Sequence, residues 1–321
     1  MKPVFKIFMS TLPLLIVGGL LYAALFVKPH PKGDAVSLPV FARGEGFYGV
    51  SVTGDSKAWV VGSNGKIAFT ENSGDTWRLQ TTKSTETLQD ISAWDTQRAV
   101  AVGNSGIVVV TSDAGKSWRT IEIPASKISN NLLRVKTLEG GIAWAIGEAG
   151  SVLRSTDYGD TWSQVGIAED AAWNDISFGP GWVLLVGEFG QMSKSEDDGV
   201  TWHGVSDPVK SSLMSVAFKD ANSGIAVGLG GVILLTEDGG QSWKEEKSPS
   251  SEHLFKVIWD GNRWLAVGSS GIILIGDADA HNWKSTRLST LDRSWYTAIA
   301  TQGNHYLLSG ARVAIAAASA L

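Results

Sequence analysis

The sequence predicts an all-β fold, a seven-bladed β-propeller preceded by one N-terminal transmembrane helix. Three observations lead to this prediction in a chain of 321 residues. An apolar segment near the N-terminus is long enough to cross a bilayer, a turn motif ending in tryptophan recurs with a period near 40 residues, and a glycine motif precedes each copy. These signals divide the chain into an anchor and one repeat domain.

The predicted anchor is the segment 7–27, which is apolar apart from Ser10 and Thr11. As a helix with a rise of about 1.5 Å per residue it spans roughly 30 Å, the thickness of a bilayer core. Lys2 and Lys6 precede it, which favours a cytoplasmic N-terminus. We therefore expect a cytoplasmic tail over 1–6, a signal anchor over 7–27 and a linker over 28–35.

This anchor predicts a single-pass protein of the inner (cytoplasmic) membrane, with the repeat domain in the periplasm or an equivalent extracytoplasmic space. A cleavable signal peptide is the alternative. It is disfavoured because Tyr22 would occupy the −3 position if cleavage followed Ala24.

The repeat is clearest in "STDYGDTW" at 155–162, which returns in varied form along the chain. Its copies end at Trp77, Trp118, Trp162, Trp202, Trp243 and Trp283. A second motif, V-G-x-x-G, precedes each copy, as in "VGNSG" at 102–106. A fixed period near 40 residues indicates an array of equivalent structural units.

One unit contains four short runs rich in β-branched residues, separated by turn signals. In the second unit these runs are "LQDISAW", "RAVAVG", "IVVVTS" and "WRTIEI". Four antiparallel strands per period predict a propeller blade. After Trp283 the chain supplies three further strands, so we expect the segment 36–42 to pair with 312–319 and close a seventh blade within a domain over 36–321.

The motif itself reads as a tight turn between the third and fourth strands. Asp157 can accept hydrogen bonds from the backbone of the turn, Gly159 can adopt a conformation that a Cβ disfavours, and Trp162 can cover the turn. Six copies of one turn cannot all be catalytic, which favours a structural role. The predicted structural residues are Asn72, Gly74, Trp77, Asp113, Gly115, Trp118, Asp157, Gly159, Trp162, Asp197, Gly199, Trp202, Asp238, Gly240 and Trp243.

Over residues 44–283, the S/T-x-D-x-G-x-T/S-W turns preceded by V-G-x-x-G resemble the Asp-box (BNR-repeat) propellers. The pairing of the two motifs most resembles the Ycf48/Hcf136-like group of photosystem II stability and assembly factors. This resemblance implies a non-catalytic scaffold or assembly factor that binds an integral membrane protein or membrane complex outside the cytoplasm. A photosystem-type complex and a transporter of the RND superfamily are the clients considered.

The chain departs from that group in lacking a cysteine for lipid attachment and in having a degenerate last turn, "GDADAHNW". Asp277, Asp279 and His281 alternate in this turn, as in some cation sites. A decayed turn is the favoured interpretation, because one triplet lacks a full ligand set.

The innermost strands carry the candidate partner-binding residues. The third residues of these strands are read as Gly49, Asp90, Arg134, Asp175, Ser215, Lys256 and Thr297. Asp90, Arg134, Asp175 and Lys256 would line a central funnel that holds a polar ligand or an extended peptide. The alternative is that these charged residues pair with one another and with water.

A mixed aromatic and charged rim is expected on the face that carries the V-G-x-x-G turns. Its predicted members are Glu148, Glu188, Phe189, Trp173, Arg293, Trp295 and Arg312. The alternative for the aromatic members is packing between blades.

Composition narrows the remaining classes of function. The formal charge of −5 comes without basic runs, so no nucleic-acid partner is expected, and the absence of cysteine excludes thiolate sites. Because Asp boxes also occur in sialidases, a glycan-binding or sialidase-like hydrolase propeller is the alternative function. "VFARGEGF" lacks the arginine signature of that class, and the propeller tyrosines fall in strands or in the turn at Tyr158. We predict no enzyme activity, no cofactor and no metal.

Overall fold

The computed structural model describes residues 16–22, 40–42, 44–124, 131–166, 171–206 and 208–321. The chain divides into two compact units, Met1–Pro39 and Val40–Leu321. The second unit contains strands β1 to β27 in seven antiparallel sheets, which are called blades 1 to 7 in chain order.

Blade 1 contains β1 Phe47–Thr53, β2 Lys57–Gly62, β3 Ile67–Thr70 and β4 Arg78–Gln80. Blade 2 contains β5 Leu88–Ala93, β6 Ala99–Gly103, β7 Val108–Thr111 and β8 Arg119–Thr120. Blade 3 contains β9 Leu132–Thr137, β10 Ala143–Gly147, β11 Val152–Ser155 and β12 Ser163–Gln164. Blade 4 contains β13 Trp173–Gly179, β14 Trp182–Gly187, β15 Met192–Ser195 and β16 His203–Val205. Blade 5 contains β17 Leu213–Phe218, β18 Gly224–Gly228, β19 Ile233–Thr236 and β20 Lys244–Glu245. Blade 6 contains β21 Leu254–Trp259, β22 Trp264–Gly268, β23 Ile273–Gly276 and β24 Trp283–Thr286. Blade 7 contains β25 Tyr296–Gln302, β26 His305–Gly310 and β27 Ala314–Ala317.

The first strand of each blade is the innermost. These seven strands contact one another in chain order around the ring, and β25 contacts β1. Thr297 Oγ1 donates to the carbonyl of Tyr48 at 3.0 Å across that closing contact. The predicted all-β propeller with seven blades is confirmed.

Strand order defines two faces. The V-G-x-x-G turns join second to third strands at the end where the connections between blades enter, and this surface is called the V-G-x-x-G face. The hairpins between first and second strands and the tryptophan-ended turns lie at the opposite end, called the Asp-box face. Five of the V-G-x-x-G turns form a single 3-10 turn: Ser63–Gly65, Asn104–Gly106, Glu188–Gly190, Leu229–Gly231 and Ser269–Gly271.

The core lies between neighbouring blades. Second strands supply almost fully buried side chains such as Trp59, Trp144 and Trp264, which pack on the adjacent sheet. Leu307 of blade 7 packs with Phe47 and Val60 of blade 1, so the same apolar contact continues across the closure. Burial of this area is the main stabilising contribution to the ring.

The Asp-box turns have the geometry that the motif predicts. Asp157 Oδ1 accepts from the backbone N–H of Thr161 at 2.9 Å, and its Oδ2 accepts from the Thr161 hydroxyl at 2.7 Å. Gly159 has φ +83°, and Trp162 Nε1 donates to its carbonyl at 3.0 Å. Equivalent acceptors are Asn72, Asp113, Asp197 and Asp238. The motif therefore acts as a cap that satisfies the backbone of a sharp corner.

The sixth turn keeps this cap although it has lost the motif's aspartate and glycine. Asp277, one residue early, accepts from the N–H of His281 at 3.0 Å and of Asn282 at 3.3 Å. Trp283 Nε1 donates to the carbonyl of Ala280 at 2.7 Å, as its counterparts do to glycine. Within the described ranges, no group of His, Asp and Glu could hold a metal ion.

The N-terminal predictions fall largely outside the described residues. Residues 16–22 are helical, whereas 7–15 and 23–27 of the predicted anchor and all of the linker 28–35 are not described. No helix in the part of the chain that the structure describes is long and apolar enough to span a bilayer.

The predicted closing strand is described only over residues 40–42. Val40 and Phe41 pack against the apolar cluster between blades 7 and 1, where the Phe41 and Phe47 rings meet edge to face at 4.9 Å. Blade 7 has three strands among the described residues, and 36–39 lie outside them. Pairing of 36–42 with 312–319 therefore stays a prediction.

Candidate functional site

The charged residues of the innermost strands meet at the centre of the ring. Each first strand contains a register shift between its first and third residues. This shift corrects the predicted set at one position, because Tyr296 pairs with Gly310 and Ala298 with Ser309. The blade 7 equivalent of Asp90 is therefore Ala298, whereas Thr297 is equivalent to Tyr48.

Asp175 is the centre of this cluster, and its side chain is fully buried. Lys256 Nζ donates to Oδ2 at 3.0 Å, and the Ser215 hydroxyl donates to the same oxygen at 2.7 Å. The backbone N–H groups of Ile176 and Val216 also donate to the carboxylate, at 2.9 and 3.1 Å. Both oxygens are thus satisfied by four hydrogen bonds, as a buried carboxylate requires.

The same position links neighbouring blades through backbone hydrogen bonds. Asp90 Oδ2 accepts from the N–H of Val135 at 3.0 Å, and Ser215 Oγ accepts from the N–H of Val257 at 3.2 Å. In each pair the acceptor belongs to one blade and the donor to the next. Asp90, Asp175 and Ser215 therefore satisfy amides of the next innermost strand, which is the edge of its sheet and has a ladder partner on one side only.

Blade 1 uses glycine at this position because the neighbouring strand is too close for a side chain. A Cβ on Gly49 would lie 2.7 Å from Asp90 Cα. The consequence is that the innermost strands of blades 1 and 2 approach more closely than an alanine would allow.

Lys136 is a member of the cluster that the sequence analysis missed. Its Nζ lies 3.2 Å from Asp175 Oδ1 and also donates to the carbonyl of Ile176. Its sequence signal is its position two residues after Arg134, which places both side chains on the same side of β9. The centre of the ring therefore holds three cations, Arg134, Lys136 and Lys256, against the carboxylates of Asp90 and Asp175.

Arg134 is the least satisfied member of this cluster. Its guanidinium lies 3.9 Å from Asp90 and 3.8 Å from Asp175, beyond hydrogen-bond distance. Among the described residues its one hydrogen bond runs from Nε to the carbonyl of Asn174 at 3.4 Å, although Arg134 is only 9% exposed. Arg134 thus has N–H donors left for a ligand.

Burial and charge pairing act in opposite directions on the pKa values of these groups. Burial alone would raise the pKa of Asp175, but Lys136, Lys256 and Arg134 hold it well below the ordinary value. Burial raises the pKa of Asp90 despite the nearby Arg134 and Lys256. Burial lowers the pKa of Lys256 to about 8, against the opposing attraction of Asp175.

Two cavities adjoin this cluster, and Arg134 lines both. The first, of about 130 Å³, is bordered by the second residues of the innermost strands. These residues are Tyr48, Gln89, Leu133, Asn174, Met214, Phe255 and Thr297. They lie where the strands begin, so this cavity opens toward the V-G-x-x-G face.

The second cavity has a volume of about 340 Å³ and lies at the other end of the same strands. It is bordered by the third to sixth residues of β1, β5, β9, β21 and β25, including Lys136 and Lys256. Because these strands run toward the Asp-box face, the second cavity faces that side. The predicted funnel is therefore divided at its middle by paired charges.

Among the aromatic residues predicted for the rim, Phe189 is the most exposed, with 67% of its surface accessible to solvent. It lies at the apex of the V-G-x-x-G turn of blade 4 with φ +54°, a conformation that is unfavourable for a bulky side chain. The same position in the other turns is occupied by smaller residues: Asn64, Ser105, Ala149, Gly230 and Ser270. The fold thus carries an aromatic residue where packing does not require it.

The remaining rim residues divide between structural and exposed positions. Trp173 is 1% exposed and packs in the core between blades 3 and 4, so its prediction as a rim residue is corrected to a core role. Glu148 accepts from the backbone and side-chain amides of Asn131, and Arg312 pairs with Asp292 at 3.0 Å. These two hold connections between strands in place.

The other members lie on the V-G-x-x-G face with accessible surface. Trp295 stacks on Tyr48, with ring centroids 5.6 Å apart, and Arg293 donates to the carbonyl of Thr290. Glu188 is half-buried beside Phe189. The predicted residues are thus spread over several blades of one face instead of forming a single pocket.

Comparison with known proteins identifies relatives of this arrangement. The family model described as photosynthesis system II assembly factor YCF48 matches residues 76–207 and 194–306. No curated protein matches the sequence.

Three solved structures illustrate the fold. One described as YCF48 bound to D1 peptide has a TM-score of 0.71 at 20% identity, covering 88% of this chain and 95% of that one. YCF48 from Cyanidioschyzon merolae has a TM-score of 0.70 at 15% identity over 88% and 97% of the two chains. The WD40 propeller domain of Doa1 has a TM-score of 0.67 at 12% identity over 84% and 91%. At these identities the likeness shows the fold alone.

Proposed function

Because this chain belongs to the family described as photosynthesis system II assembly factor YCF48, we propose that it is a non-catalytic binding protein for a segment of an integral membrane protein. The proposed binding surface is the V-G-x-x-G face. The function is that of a scaffold, assembly or stability factor, in which recognition and not turnover is the activity.

Phe189 is the observation that carries this proposal. A bulky residue in the left-handed region costs roughly 1–2 kcal/mol, and an exposed ring gains little packing in return. Aromatic side chains that become buried only in a complex are typical anchors of protein interfaces. An exposed and strained aromatic at the apex of a turn therefore fits contact with a partner.

The nearby small cavity supports an extended peptide as the form of that partner. Its border combines apolar side chains such as Leu133, Met214 and Phe255 with amides, and Arg134 lies at its base. Concave apolar surface with a few polar groups suits side chains of an unfolded segment. A peptide complex of a structurally similar YCF48 agrees with this mode of binding.

The proposed setting is the extracytoplasmic side of the inner membrane. An anchor over 7–27 and a linker over 28–35 would keep the propeller within a few nanometres of the bilayer, which raises its effective concentration toward membrane partners. A photosystem-type complex and an RND-superfamily transporter are the proposed client classes, taken from the resemblance of the motifs.

Site-specific photo-crosslinking in intact membranes tests this function. A photoreactive amino acid replaces Phe189 in the full-length chain, and a control chain carries it at Val200, an apolar residue that is 75% exposed on the Asp-box face of the same blade. We expect position 189 to capture an integral membrane protein that position 200 does not. Equal capture from both positions, or capture of soluble proteins alone, would contradict the proposal.

A further inference from the structure

We propose that the cavity on the Asp-box side of the central charges is a binding site for a small amphipathic carboxylate. The site lies at the opposite end of the innermost strands from the proposed partner surface. Its expected ligand has about ten heavy atoms in all, with one carboxylate and a short apolar body, which suits a cavity near the lower end of the usual range for ligand sites.

Charge identifies the head group of this ligand. Arg134, Lys136 and Lys256 border the cavity, and the two carboxylates of the cluster neutralise two of these three charges. One positive charge remains at a site of low solvent exposure, where its attraction for an anion is stronger than in water. A monoanion would neutralise the cluster.

Hydrogen-bonding capacity places that anion beside Arg134. The carboxylates nearest to its guanidinium are 3.8 and 3.9 Å away, and its single hydrogen bond, from Nε, is long at 3.4 Å. The Nη groups therefore have donors available, and a planar guanidinium matches a carboxylate in geometry. An incoming carboxylate would satisfy donors that the fold leaves underused.

The apolar part of the wall identifies the rest of the ligand. Val52 of blade 1 and Ile258 and Trp259 of blade 6 border the cavity and are only half-buried. Ile299 of blade 7 completes this wall. Half-buried apolar side chains beside a group of cations form an amphipathic surface, which favours a ligand with an apolar body and one charged end.

Calorimetric titration of the purified full-length chain with octanoate tests the site, with octanol and octylammonium as matched neutral and cationic probes. We expect one octanoate site, with octanol weaker by at least about ten-fold because its neutral hydroxyl has no negative charge to pair with the cations. Equal affinity for octanoate and octanol would overturn the proposal, as would tighter binding of an acetylated tripeptide ending in leucine, whose source is a chain terminus and not a small acid.

Two filling variants locate the site without changing any charge. Ala300→Phe adds a ring to this cavity, and Met214→Phe enlarges a side chain at the cavity on the other face. We expect Ala300→Phe to abolish octanoate binding and Met214→Phe to retain it, while the thermal unfolding of both chains confirms that they fold. The reverse result would overturn the assignment.

The pH dependence supplies a second readout. Lys256 faces Asp175, Asp90, Arg134 and Lys136, and its pKa is lowered to about 8 by burial. Octanoate affinity is expected to fall as pH rises through that value, because Lys256 then loses its charge. Constant affinity from pH 7 to pH 9 would contradict a role for Lys256 in the site.

Discussion

Lys256 Nζ lies 3.0 Å from Asp175 Oδ2 although the two residues are 81 positions apart in the chain and two blades apart in the ring. The contact joins blades 4 and 6, and Ser215 of blade 5, between them, donates to the same oxygen. Hydrogen bonds from blades 4 and 5 reach the same carboxylate. Asp175 therefore ties together strands that share no backbone ladder.

Replacement of Asp175 by asparagine is expected to lower the free energy of unfolding by about 3–5 kcal/mol, because the three cations around this buried carboxylate lose their main counter-charge. Urea unfolding followed by tryptophan fluorescence measures this loss. Asp279→Asn is the matched control, since the side chain of Asp279 is 84% exposed. A loss no larger than that of the control would contradict the central role of Asp175.

Phe189→Asn is expected to raise the free energy of unfolding by about 1 kcal/mol, because asparagine tolerates the left-handed conformation better than phenylalanine. The same change should abolish capture of the membrane client in a detergent pull-down. Ser270→Asn, at the equivalent turn of blade 6, controls for the turn itself and should retain capture. If Phe189→Asn retained the client, Phe189 would not be the anchor.

Asp157→Ala is expected to destabilise the propeller by about 1–2 kcal/mol, since the turn loses its side-chain cap. Asp160→Ala, which breaks an exposed pair with Arg119, should cost less than about 1 kcal/mol. Client capture should be unchanged in both variants. Loss of capture in Asp157→Ala without unfolding would assign the Asp box a part in binding.

Acid unfolding should report the cap of Asp197, whose pKa is lowered to about 2 by hydrogen bonds from Thr201. The carboxylate is stabilising while ionised, so its contribution is present above the ordinary value of 3.8 and is lost as pH falls toward 2. The urea midpoint of Asp197→Ala should therefore fall less steeply over this range than that of the unmodified chain. Val200→Ala, an uncharged change in the same turn, should keep the original slope, and equal slopes for all three chains would argue against the cap.

Deletion of residues 36–42 is expected to lower the melting temperature, because Phe41 packs beside Phe47 and Trp77 at the junction of blades 7 and 1. Phe41→Ala removes the packing of the ring alone and leaves the backbone available for the predicted strand pairing. We expect the deletion to cost more than the substitution. An unchanged melting temperature after deletion would show that the segment does not contribute to closure.

The features that the sequence predicts best are those whose hydrogen bonds join residues close together in the chain. The turns at Asp157 and Gly159 depend on hydrogen bonds within a few residues, so their spacing predicts the blades. The prediction of Thr297 is wrong because the innermost strand of blade 7 begins at Tyr296 and not at Trp295, so its third residue is Ala298. The first residue of this strand is defined by its pairing with Gly310 on the adjacent strand, and the run of aromatic residues at 295–296 does not mark it.

Whether a side chain is buried or exposed is also harder to predict, because it depends on contacts between blades. Trp173 is the first residue of β13, whereas the other rim candidates lie in turns or connections, and the packing of blade 3 on blade 4 buries it. Lys136 joined the central cluster through Asp175, a residue of the next blade. Whether a charge faces a ligand or another charge depends on the closed ring and not on the order of residues along one strand.

The displaced cap of the sixth turn affects how blades are counted in other chains. A search that requires aspartate at the third motif position finds Asp113, Asp157, Asp197 and Asp238, and it overlooks the corners served by Asn72 and Asp277. The acceptor can therefore lie one residue earlier while the geometry of the turn is kept. In divergent homologues with too few recognisable Asp boxes for a closed propeller, the blades are therefore better counted from the V-G-x-x-G turns.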